Sequence, residues 1–329
     1  MTVLTTAAAA AVAISSQAAN AAPSEKPSKD EVKAKVDKLY EEAEQATEKY
    51  NGAKEKQEKL QKQISTIQDN VARGQEDLNV LRDSMGLAAA AQYRTGSIDS
   101  SLQLFLSSNP DDYLDKASTA DQLSAQQVEQ LKKVQEKQRE LAQQRAEASE
   151  KLKDLASTRT ELGKKKKQVQ GKLAEAQKLL NTLTAAEKAA LAAEEQRASR
   201  SAADRVDLGN TGSASGRAMA AFQAAQSQIG KPYVYGATGT ASYDCSGLTS
   251  WAYGQAGVSI PRTSQAQASY GTHLSMSELK VGDLVIFYGD LHHVGLYAGN
   301  GQVLHAPRSG TVVRYESINN MPFQFGVRI

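Results

Sequence analysis

From Val32 onward, steps of four and three residues alternate as far as Ala88, and fifteen of the seventeen positions they visit are apolar. The exceptions are Gln57 and Gly74. An apolar seam that recurs every 3.5 residues suits a long helix laid along another helix as a coiled coil. A second run, from Leu131 through Val134, Leu141, Leu152, Leu155, Leu162, Val169, Leu173, Leu180 and Leu183 to Ala190, supplies a partner. Gln138, Arg145, Arg159, Lys166 and Glu187 interrupt its frame, so this seam is expected to be looser and partly solvated. At about 1.5 Å per residue, each helix would be on the order of 90 Å long.

The two runs are separated by a break. Thr95-Gly96-Ser97 opens it and Asn109-Pro110-Asp111-Asp112 closes it, with Asn109 kept out of helical dihedrals by the proline that follows. The pattern predicts a helical hairpin over 30–198 with its break near 95–118. Leu102, Leu104, Phe105 and Leu106 inside the break either pack within the bend or form an exposed tip for a partner. Periodicity fades over 199–215 into Ser, Gly, Asn and Asp, the composition of a linker. Residues 2–14 are small and apolar, and Ala19-Asn20-Ala21 resembles a cleavage site, so 1–22 reads as an export signal whose basic leader is missing. No other apolar run is long enough to cross a bilayer. The mature chain is therefore expected outside the cell, without a transmembrane segment.

Composition places the chemistry beyond residue 216. That stretch holds the only Cys, the only Trp, all four His and thirteen of the eighteen aromatic residues. It carries seven Lys/Arg and five Asp/Glu, leaving 32 of each upstream. A net charge of +2 argues against nucleic-acid binding. The pattern reads as helices near 217–229 and from Cys245 to Gln255. Strands follow at 283–288, 293–297, 302–305, 312–315 and 323–328, giving an α+β domain with helices packed on an antiparallel sheet.

Cys245 lies in Asp244-Cys245-Ser246-Gly247-Leu248, where a helix is expected to start. The unpaired N–H groups and positive dipole of a helix N-terminus favour a thiolate there. An odd cysteine in an exported chain is a candidate reactive thiol. His293 begins a predicted strand and is the candidate base, with His292 directly before it. His305, on the next strand, could orient His293 through its second nitrogen. Both rings must then share a sheet face, which requires an odd-numbered loop, placed at Gly299, between the strands. A lone Cys and scattered His show no metal-ligand spacing, so neither metal nor cofactor is expected.

Pro232-Tyr233-Val234-Tyr235-Gly236, Asp244 to Leu248, Pro261-Arg262-Thr263-Ser264, Gly282-Asp283-Leu284-Val285, His293 to Tyr297 and His305-Ala306-Pro307 together resemble the NlpC-type cysteine peptidases of bacterial cell wall. The resemblance covers about 110 residues and implies a papain-like domain over 216–329. It implies Cys245 as nucleophile, His293 as base, His305 as the third residue and Tyr233 beside the oxyanion. Asp244 is expected to cap the helix, and Ser246 with Gly247 to keep the nearby backbone accessible. Arg262 and Ser264 could reach substrate carboxylates. The implied substrate is peptidoglycan, cut at the γ-D-glutamyl–diaminopimelate bond. An amidase acting at muramoyl–L-alanine and a wall-binding scaffold are the alternatives. The coiled coil could inhibit the domain, space it, or dock a membrane or divisome partner.

Overall fold

The computed structural model describes residues 27–94, 110–206 and 216–329. The expected export signal, the apolar cluster at 102–106 and residues 207–215 of the expected linker lie outside the described residues. Lys29–Arg94 forms one helix of 66 residues, α1, and Pro110–Leu180 another of 71, α2. They run antiparallel and, among the described residues, meet in three apolar layers. Val32, Val36, Leu39 and Tyr40 join Ala176 and Leu183 at one end, Leu60 and Ile64 join Leu155 midway, and Leu78 joins Val134 and Leu141 at the other end. At Gly74, which interrupts the heptads, a Cβ would lie 2.8 Å from Leu141 Cδ2, so the leucine fills the space that a side chain would take. The second seam is the looser one, with Leu131 and Leu152 about half exposed.

The helical run breaks at residues 181–184 and resumes as α3, Ala185–Ala203. Thr184 caps α3, its hydroxyl accepting from the Glu187 N–H while the Glu187 carboxylate accepts from the Thr184 N–H. Glu187 is thus a capping residue and not a fault in the heptad frame. Helix α3 runs past 199, where the sequence pattern predicts linker, because Ala202 is drawn into the core of the following domain.

That domain opens with α4, Gly216–Gln226, followed by a short hairpin of β1, Thr238–Gly239, and β2, Ser242–Tyr243. Helices α5, Cys245–Gln255, and α6, Ser264–Ala268, come next. Six strands complete it: β3 Thr272–Leu274, β4 Leu284–Phe287, β5 His293–Tyr297, β6 Gln302–His305, β7 Arg314–Ser317 and β8 Phe323–Arg328. They form one antiparallel sheet in the order β3-β8-β4-β5-β6-β7. Phe222, Leu248, Tyr253, Leu284, Leu296 and Leu304 lie in the core between the helices and this sheet. The architecture is α+β, as the pattern predicts. Several details differ: the first helix ends at Gln226, not 229, β7 starts at Arg314, not 312, and the β1–β2 hairpin, α6 and β3 are too short to be seen in the sequence pattern.

The β5–β6 register decides where the histidines fall. Leu296 faces Leu304 and Tyr297 faces Val303, closing a three-residue loop centred on Asn300, one residue beyond the expected Gly299. Gly299, Asn300 and Gly301 all have positive φ (83°, 48° and 67°), which the two glycines and an asparagine tolerate. Continuing this register sets His305 across from Gly295, with His293 diagonal to it on the same face. Gly295 makes the diagonal approach possible, since a Cβ there would lie 3.0 Å from the His305 Cβ and 2.4 Å from Val303 Cγ2.

Leu155→Ala empties the middle layer of the hairpin. It is expected to lower hairpin stability by roughly 2–4 kcal/mol, seen as earlier thermal loss of helical circular dichroism. An unchanged helical transition would mean that this layer does not join the two helices.

Candidate active site

Asp244 starts the site. It is the N-cap of α5, in extended backbone, and its Oδ1 accepts from the Gly247 N–H at 2.7 Å. Cys245 is therefore the first residue of the helix. Gly247 is required one turn in, because a Cβ there would lie 2.1 Å from the Ala237 carbonyl oxygen. Arg262 donates two hydrogen bonds to the Asp244 carboxylate, at 3.0 and 2.6 Å, and a third to Ser246 Oγ at 2.8 Å. This paired geometry fixes the cap and the loop before α6 as one unit.

On the sheet, His293 Nε2 and His305 Nδ1 are 2.7 Å apart, and His305 Nε2 lies 3.3 Å from Glu316 Oε2. Arg314 and Asn320 also donate to Glu316. All three sequence-predicted residues, Cys245, His293 and His305, are buried here, and the reactive atoms of Cys245 and His293 lie within 4.8 Å of each other. His292 turns away: its ring stacks on Tyr288 with centroids 4.2 Å apart and bonds to Asp290. Tyr233 is buried in the same cluster, and burial together with the charges of Glu44, Cys245 and Asp244 raises its hydroxyl pKa. His273 lies elsewhere, stacked on Phe325.

Sequence reasoning missed the residues that α1 contributes. Glu44, Thr47, Glu48 and Asn51 form a buried polar stripe on one helix face. Glu44 bonds directly to His293 Nδ1. Glu48 Oε1 lies 3.7 Å from the Cys245 sulfur and accepts from Ser246 Oγ at 2.7 Å, while its Oε2 accepts from the Ser264 N–H at 2.8 Å. Asn51 donates to Asp244 at 3.0 Å. Tyr50 meets Tyr235 edge to face, and Tyr40 lies under the Arg308 guanidinium.

A family model described as NlpC/P60 matches residues 230–327. The C-terminal domain is an NlpC/P60 domain. A Corynebacterium glutamicum protein named a probable endopeptidase is 54% identical over 110 residues, a match covering 33% of this chain and 53% of the relative. The match thus spans about half of that relative's length. The probable endopeptidase p60 of Listeria monocytogenes is 46% identical over 97 residues, 29% of this chain and 20% of its own. Among solved structures, the peptidoglycan hydrolase RipB of Mycobacterium tuberculosis is 34% identical, covering 39% of this chain and 70% of that one, with a TM-score of 0.33.

In this NlpC/P60 domain, α1 changes the electrostatics expected for a thiol at a helix N-terminus. Burial raises the Cys245 pKa well above its usual value, and the charges of Glu48, Glu44 and Asp244 add to the effect, so the thiol is neutral. The helix dipole is outweighed. Burial also opposes a charge on His293, but the adjacent Glu44 carboxylate and its hydrogen bond prevail and raise that pKa. Burial lowers the pKa of His305, and the charge on His293 lowers it further. With His293 charged, it donates from Nδ1 to Glu44 and from Nε2 to a neutral His305, which donates in turn to Glu316. Glu44 thus occupies the imidazole nitrogen that would otherwise be open to the thiol.

The docked carboxylates make this arrangement pH-dependent. Burial, with the charge of Asp244, pushes Glu48 from 4.5 up to about 7, against hydrogen bonds from Ser246 and Ser264. Docked α1 therefore holds an extra proton between pH 4.5 and about 7, so Glu48 favours docking most at low pH and disfavours it increasingly as pH rises. His293 acts in the same sense from 6.5 upward. After correction for intrinsic rates, hydrogen exchange across residues 40–51 is expected to quicken by up to about tenfold per pH unit between pH 5 and 7. Glu48→Gln should flatten that slope. The same slope in both proteins would place the titrating group elsewhere.

Proposed function

We propose that the chain is an exported cysteine endopeptidase of peptidoglycan, held closed by its own coiled coil. The observation that carries this reading is the line Cys245, His293, His305 and Glu316 within an NlpC/P60 domain, with Glu44 and Glu48 of α1 inserted into it. The relatives named as probable endopeptidases support it. Among the described residues no helix is long and apolar enough to cross a membrane.

In the open enzyme, withdrawal of Glu44 frees His293 Nδ1 to take the Cys245 proton. Without the two carboxylates, the α5 N-terminus favours the thiolate. The sulfur attacks the scissile carbonyl, and the Cys245 N–H with the Tyr233 hydroxyl stabilises the oxyanion. His293 passes its proton to the leaving amine. Water, deprotonated by His293, then releases the acyl-enzyme and restores the thiol. His305 holds the ring of His293, and Glu316 holds His305.

Glu48 also suggests what the cleft receives. Its carboxylate takes hydrogen bonds from Ser246 and Ser264 beside the Arg262 guanidinium, so it stands where a substrate carboxylate would sit. A γ-D-glutamyl–diaminopimelate bond, flanked by free carboxylates, matches that donor set. We read the segment from 216 to 329 as the catalytic unit and the preceding helices as its cover.

Cys245→Ala is expected to reduce digestion of purified wall by at least about 10⁴-fold, and mass spectra of wild-type products should show new amines on diaminopimelate. Retained digestion by the variant would remove the peptidase reading, and new amines on L-alanine would move the cut. Residues 216–329 alone, and a full-length Glu44→Ala/Glu48→Ala variant, should digest at least about tenfold faster than the full chain. Equal rates would leave the hairpin a spacer.

A further inference from the structure

The docked helix does more than block the site sterically. It completes a donor set that the catalytic domain alone lacks. Glu44, Cys245 and His293 are all buried, and each offers one ligand atom within 4.8 Å of the other two. Glu48 Oε1, 3.7 Å from the sulfur, is a further donor in reach. A thiolate, an imidazole nitrogen and carboxylate oxygens are the ligand types of zinc, whose tetrahedral shell keeps donors roughly 3.3–3.8 Å apart. The Glu44–His293 pair, which is in direct contact, must part to admit an ion in place of the shared proton.

An independent feature leads to the same place. A groove of about 790 Å³ between α1, α3 and the sheet has Glu44, His293 and His305 on its wall. Its other walls carry Asp37, Glu41, Glu194, Glu195 and Glu316, so its carboxylates outnumber the Lys and Arg side chains. The groove therefore gives an ion a route from solvent to two of the donors, Glu44 and His293, which a genuine metal site needs.

We propose that Glu44, Cys245 and His293 form a zinc site that exists only while α1 covers the domain, so that zinc locks the closed chain. The inference rests on the closed reading above. Binding displaces the Cys245 proton and the His293 Nδ1 proton to solvent and takes both catalytic groups out of use. Because one ligand belongs to α1, the ion binds the closed state alone and stabilises it by mass action.

The test uses the full chain, stripped with a chelator and then titrated with Zn²⁺ against a chromophoric competitor, and separately with Co²⁺. Glu44→Gln should weaken zinc binding at least about tenfold, His273→Ala should not, and the Co²⁺ form should show a thiolate-to-cobalt band that Cys245→Ser removes. Zinc should also slow hydrogen exchange across 40–51 in the wild-type chain, by a factor that grows with zinc concentration. Equal affinity in the Glu44→Gln variant, no thiolate band, or no slowing of exchange by zinc would overturn the site. Failure of the closed reading looks different: residues 40–51 would then exchange freely in the chelator-treated chain.

Discussion

Two carboxylates on one face of a helix reach a buried thiol and a buried imidazole, and the rest of the molecule is arranged around that contact. Neither carboxylate would be tolerated there alone, because an isolated buried charge is costly. Glu44 is matched by His293, whose pKa it raises against the opposing effect of burial. Glu48 is matched by two donors and lies near Arg262, yet its pKa still rises to about 7. The closed site is thus a balance of nearby opposite charges in a low-dielectric setting. Burial and the same charges together hold Cys245 as a thiol.

A plug of this kind needs a rigid carrier. A stripe of four residues on a short, isolated helix would fray, whereas on α1 it is part of a 66-residue helix braced by α2 in three apolar layers. The NlpC/P60 domain is tied to both α1 and α3. Arg308 pairs with Asp37 of α1 and Glu195 of α3, and Arg314 also reaches Glu195. Asn300, at the tip of the histidine-bearing hairpin, donates to the Arg205 carbonyl just beyond α3. The loop that sets the His293–His305 register is therefore tied to the helical region.

Much of this was legible before the fold was known. Heptad spacing gave the helical hairpin, and alternation gave four of the six strands of the main sheet close to their final positions. Cys245 at a helix start and the pairing of His293 with His305 could be read from motif and strand parity. The loop centre was misplaced by one residue, because Gly-Asn-Gly permits several turns and only the pairing of Leu296 with Leu304 distinguishes them. Leucine-rich spacing hid the Thr184 cap, since Leu183 continues the apolar frame across it. The polar stripe on α1 was missed because charged residues outside the seam ordinarily face water. One signal was present: over 43–53 the seam positions are Ala43, Ala46, Tyr50 and Ala53, too small or too polar for a helix whose main neighbour is another helix. What covers that stretch is the NlpC/P60 domain.

Whether α1 seals Cys245 from solvent is read from the alkylation rate of Cys245 in the metal-free full chain. A small neutral thiol reagent at pH 7, followed by intact mass, gives that rate because the chain has a single cysteine. The account predicts a rate at least about 100-fold below that of residues 216–329 alone, which corresponds to about 2.7 kcal/mol of docking free energy. Equal rates in the two proteins would contradict it.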